Sequence, residues 1–269
     1  MTRDLRAHWD QQAQVYAADE GLASYAGFLA LYEEECWRAI EPVLPPVAGS
    51  LILEVGCGTG RWVVHLAPRG YRMVLSDVSP EMVRQAQAKV ERLGLRDRLH
   101  GFHVLDICDM HALPEDAFDV VLALGGPLSL CHDAGLAAAE LRRVTRPGGY
   151  VICDAANRYR TALDLVRDGE TDQLLQVLDT GRFSRPDGLT DHRFGPQELA
   201  DLFERNGMRA VQVVGLCPLF PFLPSQEQAR LLDDEATFAA MREVGQRYGG
   251  HPSGVALSGR LLAVAQSSA

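Results

Sequence analysis

The chain has 269 residues, of which 47% are hydrophobic and 23% are charged, and its formal net charge at pH 7 is −10. This content supports one large domain with a sizeable core and argues against disorder. The acidic balance, with no stripe rich in Lys and Arg, excludes extensive contact with a phosphate backbone, so we expect no nucleic-acid partner.

Signals for a membrane, for export or for a metal are not evident in the sequence. No stretch approaches about 18 consecutive apolar residues, and the opening MTRDLRAHWD is too polar for a signal peptide. The six cysteines include no C-x-x-C pair, which is typical of buried, reduced thiols rather than of disulfides or zinc ligands. The sequence therefore predicts a cytoplasmic protein without membrane contact or a bound metal.

Two helices are predicted before the first strand. Apolar residues from Leu22 to Ile40 recur with a period of about 3.6, which indicates an amphipathic helix that ends before Pro42. A shorter helix that carries Trp9 and Tyr16 is predicted to precede it.

An apolar strand, LILEV at residues 51–55, leads directly into the glycines of the segment GCGTG. Gly56, Gly58 and Gly60 therefore follow the carboxyl end of a buried strand, where open α/β sheets bind ligands. A glycine turn before a helix brings backbone N–H groups close to a ligand and favours negative charge. Because Arg61 stands where the dinucleotide fingerprint G-x-G-x-x-G has its last glycine, the spacing argues against NAD or FAD.

Strands and helices alternate from these glycines to about residue 155. A helix is predicted over RWVVHLAPR, a strand over YRMVLSD, and a helix over SPEMVRQAQAKVERLG with Ser79 as N-cap, Pro80 in the first turn and Gly94 as the stop. Next come the strands LHGFHVLD and AFDVVLAL, the helix AGLAAAELRRVT, the turn RPGG and the strand YVICDA. This order predicts a mainly parallel sheet with right-handed crossovers.

The rest of the chain departs from strict alternation. A polar, partly helical insertion covers about residues 157–190, and the helix PQELADLFERNG, the strand MRAVQVVGL, a helix near residues 226–245 and the strand RLLAVA follow. The last two strands can pair antiparallel at the sheet edge. We therefore predict an α/β fold: a Rossmann-like open sheet of about seven mostly parallel strands, with helices on both faces and a helical cap.

Two of the predicted strands end in acidic residues at the same edge of the sheet. Asp77 follows the glycines by about 20 residues, a position from which a carboxylate accepts hydrogen bonds from ribose hydroxyls. Asp106 ends the third strand, where it can accept a hydrogen bond from an adenine amino group. Asp77 can instead cap the helix that starts near Ser79, and Asp106 can be a turn residue. NAD enzymes share the feature at Asp77, so it does not identify the cofactor.

The motifs LEVGCGTG, LSD, LDICDM, FDVVLAL and RPGGYVI, in this order between about residues 50 and 155, resemble those of class I S-adenosylmethionine-dependent methyltransferases. The resemblance implies S-adenosylmethionine as cofactor and S-adenosylhomocysteine as product. It also implies a single domain over residues 1–269, with a helical lid at 1–46, a cofactor-binding core at 50–155 and cap insertions at about 157–190 and 218–250.

The resemblance assigns cofactor contacts to individual positions. Gly56 and Gly58 would lie against the methionine part, and Asp77 would hold the ribose. Val78 and Met82 would flank the adenine, Asp106 and Ile107 would read its edge, and Leu124 would form the floor near the methyl group. The implied cofactor-binding residues are Tyr16, Glu54, Gly56, Cys57, Gly58, Asp77, Val78, Met82, Asp106, Ile107 and Leu124. For Tyr16, core packing is an equally good interpretation.

The segment LALGGPLSLCHD, after the fourth strand, bears on the methyl acceptor. It lacks the Asn or Asp with prolines of DNA amino methyltransferases, the paired glutamates of protein arginine methyltransferases and the metal-binding Asp of catechol-type enzymes. We therefore expect a small organic acceptor. The bend at residues 125–127 would leave space for it beside apolar walls from Leu128, Leu130, Trp9, Tyr25 and Phe28, although a plain strand-to-helix turn is the alternative.

Methyl transfer from a sulfonium depends mainly on alignment, and it needs a base only when the acceptor carries a proton of high pKa. His132, just after the bend, is the first candidate base, and His192, after the insertion, is the second; both can instead face water. The predicted function is methyl transfer to an O, N or S atom of a small molecule, in secondary metabolism. The alternatives are an NAD-dependent oxidoreductase and a non-catalytic S-adenosylmethionine-binding protein.

Overall fold

The apolar runs of the sequence form the strands of one open sheet and a separate hairpin. The computed structural model describes residues 4–19, 23–223, 225–231 and 233–268. The strands in these ranges are β1 Leu51–Val55, β2 Arg72–Asp77, β3 Leu99–Val104, β4 Phe118–Ala123, β5 Thr145–Ala156, β6 Arg182–Ser184, β7 Thr190–His192, β8 Met208–Leu216 and β9 Arg260–Ser267.

Helices surround this sheet and follow the predicted order closely. Their bounds are α1 Leu5–Asp19, α2 Ala23–Ile40, α3 Val63–Leu66, α4 Pro80–Arg92, α5 Pro127–Leu130, α6 Ala134–Val144, α7 Arg158–Asp168, α8 Leu174–Thr180, α9 Pro196–Arg205, α10 Ser225–Ala229, α11 Glu235–Tyr248 and α12 Pro252–Leu257. None of the helices in the described ranges combines the length and the apolar character needed to span a bilayer.

The sheet has seven strands in the order β3-β2-β1-β4-β5-β9-β8. Strands β1 to β5 are parallel, β9 runs antiparallel to β5, and β8 runs antiparallel to β9. Strands β6 and β7 form the hairpin outside the sheet. The predicted open α/β sheet and its antiparallel edge pair are confirmed.

Successive residues of the central strands face opposite sides of the sheet. Leu53 and Val121 lie in the core that α6 and α9 help to form. Their neighbours Ile52 and Val120 lie in the core to which α2, α3 and α4 contribute. Because helices cover both faces, these strands are continuous apolar runs rather than alternating ones.

Three predicted elements differ from the observed ones. The helix predicted over residues 61–69 is one α-helical turn, α3, followed by a 3-10 turn that ends at the left-handed Gly70. The helix predicted near residues 226–245 is two helices, because Asp234 accepts hydrogen bonds from the backbone of Ala236 and Thr237 and starts α11 anew. The predicted turn RPGG is the beginning of β5.

The N-terminal helix α1 packs against α4 and is fixed there by a carboxylate. Oδ1 of Asp10 accepts a hydrogen bond from the Ser79 hydroxyl at 2.5 Å and one from the Glu81 backbone at 3.2 Å. Ser79 is also the N-cap of α4, as predicted, and accepts from the Met82 backbone at 3.0 Å. The position of α1 is therefore coupled to the first turn of α4.

Candidate functional site

An open cleft lies at the carboxyl ends of β1 to β4, with α1 and α2 along its other side. It encloses about 1130 Å³ of empty space, including solvent at its mouth. All the residues that the resemblance assigned to cofactor binding, from Tyr16 to Leu124, line this one cleft.

The three glycines after β1 have left-handed backbone conformations, but the space around their Cα atoms differs. Gly58, with φ of +52°, would direct a Cβ atom into open space, with no atom within 4 Å. A Cβ atom on Gly60 would instead meet Val63 at 3.2 Å and Ala86 at 3.4 Å, so this glycine allows close packing of the turn against α4. Gly58 is thus the glycine whose missing side chain leaves room for a ligand in the cleft.

The buried carboxylate of Asp77 joins the glycine turn to the start of α4. Its Oδ2 accepts a hydrogen bond from the Gly58 backbone at 2.8 Å, and its Oδ1 accepts one from the Ser79 backbone at 2.9 Å. Burial raises the pKa of Asp77, and these backbone donors partly oppose the increase. A carboxylate oxygen can accept more than one hydrogen bond, so Asp77 can serve the backbone and a ligand hydroxyl together.

Glu54, at the end of β1, leaves one oxygen without a partner inside the protein. Its Oε1 accepts a hydrogen bond from the Trp62 backbone at 3.2 Å, whereas Oε2 is buried and has no hydrogen-bond partner. The indole Nε1 of Trp62 is likewise buried without an acceptor, and both residues line the cleft. Burial raises the pKa of Glu54 to about 8. A polar ligand with a donor and an acceptor would satisfy both of these groups.

Sequence reasoning did not assign a role to Trp62. The signal was available, because Trp62 follows the glycine turn directly in LEVGCGTGRW. It was missed because its orientation depends on a hydrogen bond between its own backbone and the Glu54 carboxylate.

Asp106 and Ile107 line the cleft after β3, where Oδ1 of Asp106 accepts a hydrogen bond from the Cys108 backbone at 2.9 Å. Asp106, Cys108 and His132 offer metal-ligand atoms that lie within 4.8 Å of one another. The sequence predicts no metal; in the part of the chain that the structure describes, this is the group of side chains able to hold one. Asp106 cannot readily coordinate a metal and also bind a cofactor edge.

The floor of the cleft after β4 is formed by Leu124 and a bend in which Gly125 and Gly126 have φ of +95° and +91°. Gly125 donates its N–H to the Tyr32 hydroxyl at 3.0 Å, and Gly126 donates to the buried carboxylate of Asp154 at 2.8 Å. Hydrogen bonds to residues of α2 and β5 therefore fix the conformation of this bend.

Neither of the two predicted histidines lines the cleft. His132 is 65% exposed, and its Nδ1 lies 3.7 Å from Oδ2 of Asp106, at the outer edge. His192 lies in β7, where its Nε2 is 2.8 Å from the Glu198 carboxylate and its ring packs on Phe194. The structure thus supplies a structural partner for His192 and leaves His132 near, but outside, the cleft.

The walls of the cleft come from the N-terminal helices. Trp9, Tyr16 and Phe28 line it as predicted, together with Tyr32, while the Tyr25 side chain lies outside the described residues. No described residue of 157–190 or 218–250 lines the cleft. Within the second of these segments, α10 and α11 pack on α2, which does line the cleft.

Comparisons with known proteins agree with this geometry. Residues 52–149 match the model of a family described as a methyltransferase domain. An uncharacterised protein of Mycobacterium tuberculosis is 33% identical over 159 residues, which cover 56% of this chain and 54% of that protein. A malonyl-[acyl-carrier protein] O-methyltransferase of Yersinia pestis is 27% identical over 143 residues, 53% of this chain and 50% of its own length.

The fold has close parallels among solved structures. An S-adenosylmethionine-dependent methyltransferase from Mesorhizobium loti superposes with a TM-score of 0.59 at 20% identity, over 86% of this chain and 97% of the other. The chain spans about half the length of the curated relatives it matches. The family model covers residues 52–149, which include the ends of β1 to β4 at the cleft.

Proposed function

We propose that this chain, whose residues 52–149 match a methyltransferase domain, is a class I S-adenosylmethionine-dependent methyltransferase that transfers a methyl group to an O, N or S atom of a small organic molecule. The observation that carries the proposal is the convergence in one cleft of the glycine turn, Asp77, Asp106 and Leu124, which come from the ends of four adjacent strands. These positions match the methionine, ribose, adenine and methyl-group sites that the sequence motifs imply.

The residues present fit S-adenosylmethionine. Asp77 would accept hydrogen bonds from the ribose, Asp106 would accept one from the adenine amino group, and the unpaired Oε2 of Glu54 would receive the ammonium of the methionine part. The unpaired Nε1 of Trp62 is available to an oxygen acceptor of the same ligand. When bound, the cofactor supplies a methyl group on a positively charged sulfur.

The protein would contribute mainly by position and by exclusion of water. The aromatic residues of α1 and α2 wall the cleft, and the glycine bend keeps side chains out of the space over Leu124. Alignment within about 3–3.5 Å is the largest requirement of a displacement of this kind. A cleft bordered by helices, in a chain of net charge −10, suits a small acceptor better than a nucleic acid. Secondary metabolism remains the setting that we propose.

Parallel calorimetric titrations with S-adenosylmethionine, S-adenosylhomocysteine and NAD⁺ test the cofactor assignment. We expect binding of the two adenosyl compounds and none of NAD⁺. Binding of NAD⁺ alone would replace the proposal by hydride chemistry. A protein that binds S-adenosylmethionine but forms no S-adenosylhomocysteine across a broad acceptor screen would instead be a cofactor-binding protein without methyl transfer.

The pairing of Glu54 with an ammonium predicts a pH-dependent affinity. In the free protein the pKa of Glu54 is about 8, so below that pH it must lose a proton to pair with the cation. We therefore expect the affinity for S-adenosylhomocysteine to rise between about pH 6 and pH 7.5, by at most tenfold per pH unit, with release of a proton on binding. Titrations in buffers of different ionisation enthalpy measure that proton.

Glu54→Gln is the matched variant, because an amide oxygen can still accept from the Trp62 backbone. It should bind S-adenosylhomocysteine more weakly and without this pH dependence. A wild-type affinity that is constant over the same range would show that Glu54 does not pair with the ligand.

The position of His132 predicts a small catalytic effect. A general base usually contributes about 10² to 10⁴ in rate, but this side chain is largely exposed and lies outside the cleft lining. We expect His132→Ala to retain the turnover number within about threefold. His111, which is exposed and pairs with Asp109 in a similar way, provides the control His111→Ala. A loss of 100-fold in His132→Ala alone would restore the base hypothesis.

A further inference from the structure

Arg260 lies in the cleft on the side away from the cofactor-binding strands. It is the first residue of β9 and pairs in register with Ala156 at the end of β5. The proposed cofactor contacts end β1 to β4, so the next strand ends along the sheet, at β5 and β9, border the space left for the acceptor. Arg260 thus supplies a positive charge on the acceptor side.

A buried carboxylate fixes the orientation of this guanidinium. Asp154 is fully buried and accepts hydrogen bonds from Nε of Arg260, from the Tyr32 hydroxyl at 2.9 Å and from the Gly126 backbone. Three donors from β9, α2 and the glycine bend therefore share one carboxylate. Such a network restricts the arginine to a single direction.

One terminal nitrogen of the Arg260 guanidinium has unmet hydrogen-bonding capacity. Its Nη2 is buried without a partner, and the side chain as a whole is 26% exposed. A Cβ atom at Gly126 would overlap Nη2, so the glycine is what permits this position. The two terminal nitrogens of a guanidinium match a carboxylate in a fork-to-fork pair.

The side chains that line the cleft favour an acceptor atom that is already deprotonated and so needs no general base. No histidine or lysine is among the described residues that line it. Burial raises the pKa of the Cys57 thiol, and the pKa of Cys131 is raised chiefly by its hydrogen bond with Cys108. A carboxylate oxygen needs no base at neutral pH, since an ordinary carboxyl group has a pKa near 4.

We propose that the methyl acceptor is a carboxylic acid whose carboxylate pairs with Arg260 and receives the methyl group on oxygen. A lone pair of that oxygen forms the O–CH₃ bond while the S–CH₃ bond breaks and its electrons remain on sulfur. The products are a methyl ester and S-adenosylhomocysteine, and no proton moves. The neutral ester no longer forms an ion pair with Arg260, which favours its release. This inference rests on the proposed methyl transfer.

The test pairs carboxylic acids with their primary amides. Protein with S-adenosylmethionine is incubated with benzoic, phenylacetic, octanoic and succinic acids and with the matching amides, and mass spectrometry detects S-adenosylhomocysteine and methyl esters. We expect ester formation from at least one acid and none from its amide. Calorimetry with S-adenosylhomocysteine is run on every variant, because intact cofactor binding separates failure of this inference from failure of the proposed function.

Three variants separate a role in acceptor binding from a structural one. Arg260→Gln should lose at least about 30-fold in kcat/KM for the acid. Arg260→Lys keeps a positive charge beside Asp154 but lacks the two-nitrogen edge, so it should lose about tenfold or more while retaining cofactor affinity. The control Arg146→Gln alters an arginine that pairs with the buried Asp119 outside the cleft, and it should retain activity within about threefold.

Four results would overturn the inference: methylation only of amines, phenols or thiols; a product methylated at another atom of the acid; acid turnover that survives in Arg260→Gln; or no methylation of any acid by a protein that binds S-adenosylhomocysteine. Loss of cofactor binding in the wild-type protein would overturn the proposed function and this inference together.

Discussion

Gly58→Val is expected to abolish binding of S-adenosylhomocysteine while the sheet stays folded. The Cβ position of Gly58 is open, so the valine side chain would occupy space that the ligand needs. We expect the dissociation constant to rise at least about 100-fold, which corresponds to about 2.7 kcal/mol. Calorimetric titration measures the affinity, and circular dichroism and thermal melting report the fold.

Gly58→Val is also expected to lose stability because of the backbone conformation at this position, and this effect needs its own control. Gly58 has φ of +52°, where a residue with a side chain costs about 1–2 kcal/mol. Gly94, with φ of +67°, is exposed after α4 and would also direct a Cβ atom into open space. Gly94→Val should therefore lose comparable thermal stability and keep full affinity. Unchanged affinity in Gly58→Val would remove the central inference about the glycine turn.

Asp77→Asn is expected to weaken S-adenosylhomocysteine binding by about 10- to 100-fold, since a hydrogen bond to a charged group contributes about 1.5–3 kcal/mol. The more specific expectation concerns the ribose. Wild-type protein should bind the 2′-deoxy and 3′-deoxy analogues of S-adenosylhomocysteine more weakly than the parent compound, and Asp77→Asn should discriminate among them by less than about threefold. Competition titrations with the three ligands measure this difference.

The analogues matter because Asp77 also binds two backbone N–H groups. If capping were its whole role, Asp77→Asn would lower stability yet preserve the ribose discrimination of the wild-type protein. Asp133 provides the comparison, because its Oδ1 accepts from Gly135 and Leu136 at the start of α6 and it does not line the cleft. Asp133→Asn should lose stability and leave all three affinities unchanged.

That the proposed cofactor-binding residues lie together in one cleft could be predicted from the sequence, because each of them lies at or near a strand end. Gly58, Asp77, Asp106 and Leu124 all lie within a few residues of apolar runs, and parallel strands place such ends at one edge. Local pattern and global fold agree in this region. That agreement explains why the positions of these residues in the fold could be predicted from a single sequence.

The residues beside the proposed acceptor space could not be predicted from the sequence in the same way. Arg260 and Asp154 are 106 residues apart in the chain and meet only because β9 runs antiparallel to β5. His132 follows the bend in sequence, yet its side chain is mostly exposed. The role of His132 as a base therefore stays a prediction, whereas strand pairing across the sheet brings Arg260 into the cleft.

The contact from Asp10 couples α1 to the start of α4 beside the cleft, although Asp10 itself does not line the cleft. Ser79 lies two residues after Asp77; its hydroxyl donates a hydrogen bond to the Asp10 carboxylate, and its backbone N–H donates one to Asp77. Any swing of α1 away from the sheet must break that hydrogen bond and the one to Glu81. A movement of α1, which carries Trp9 and Tyr16 in the cleft wall, would therefore also disturb the backbone next to Asp77, the proposed ribose contact.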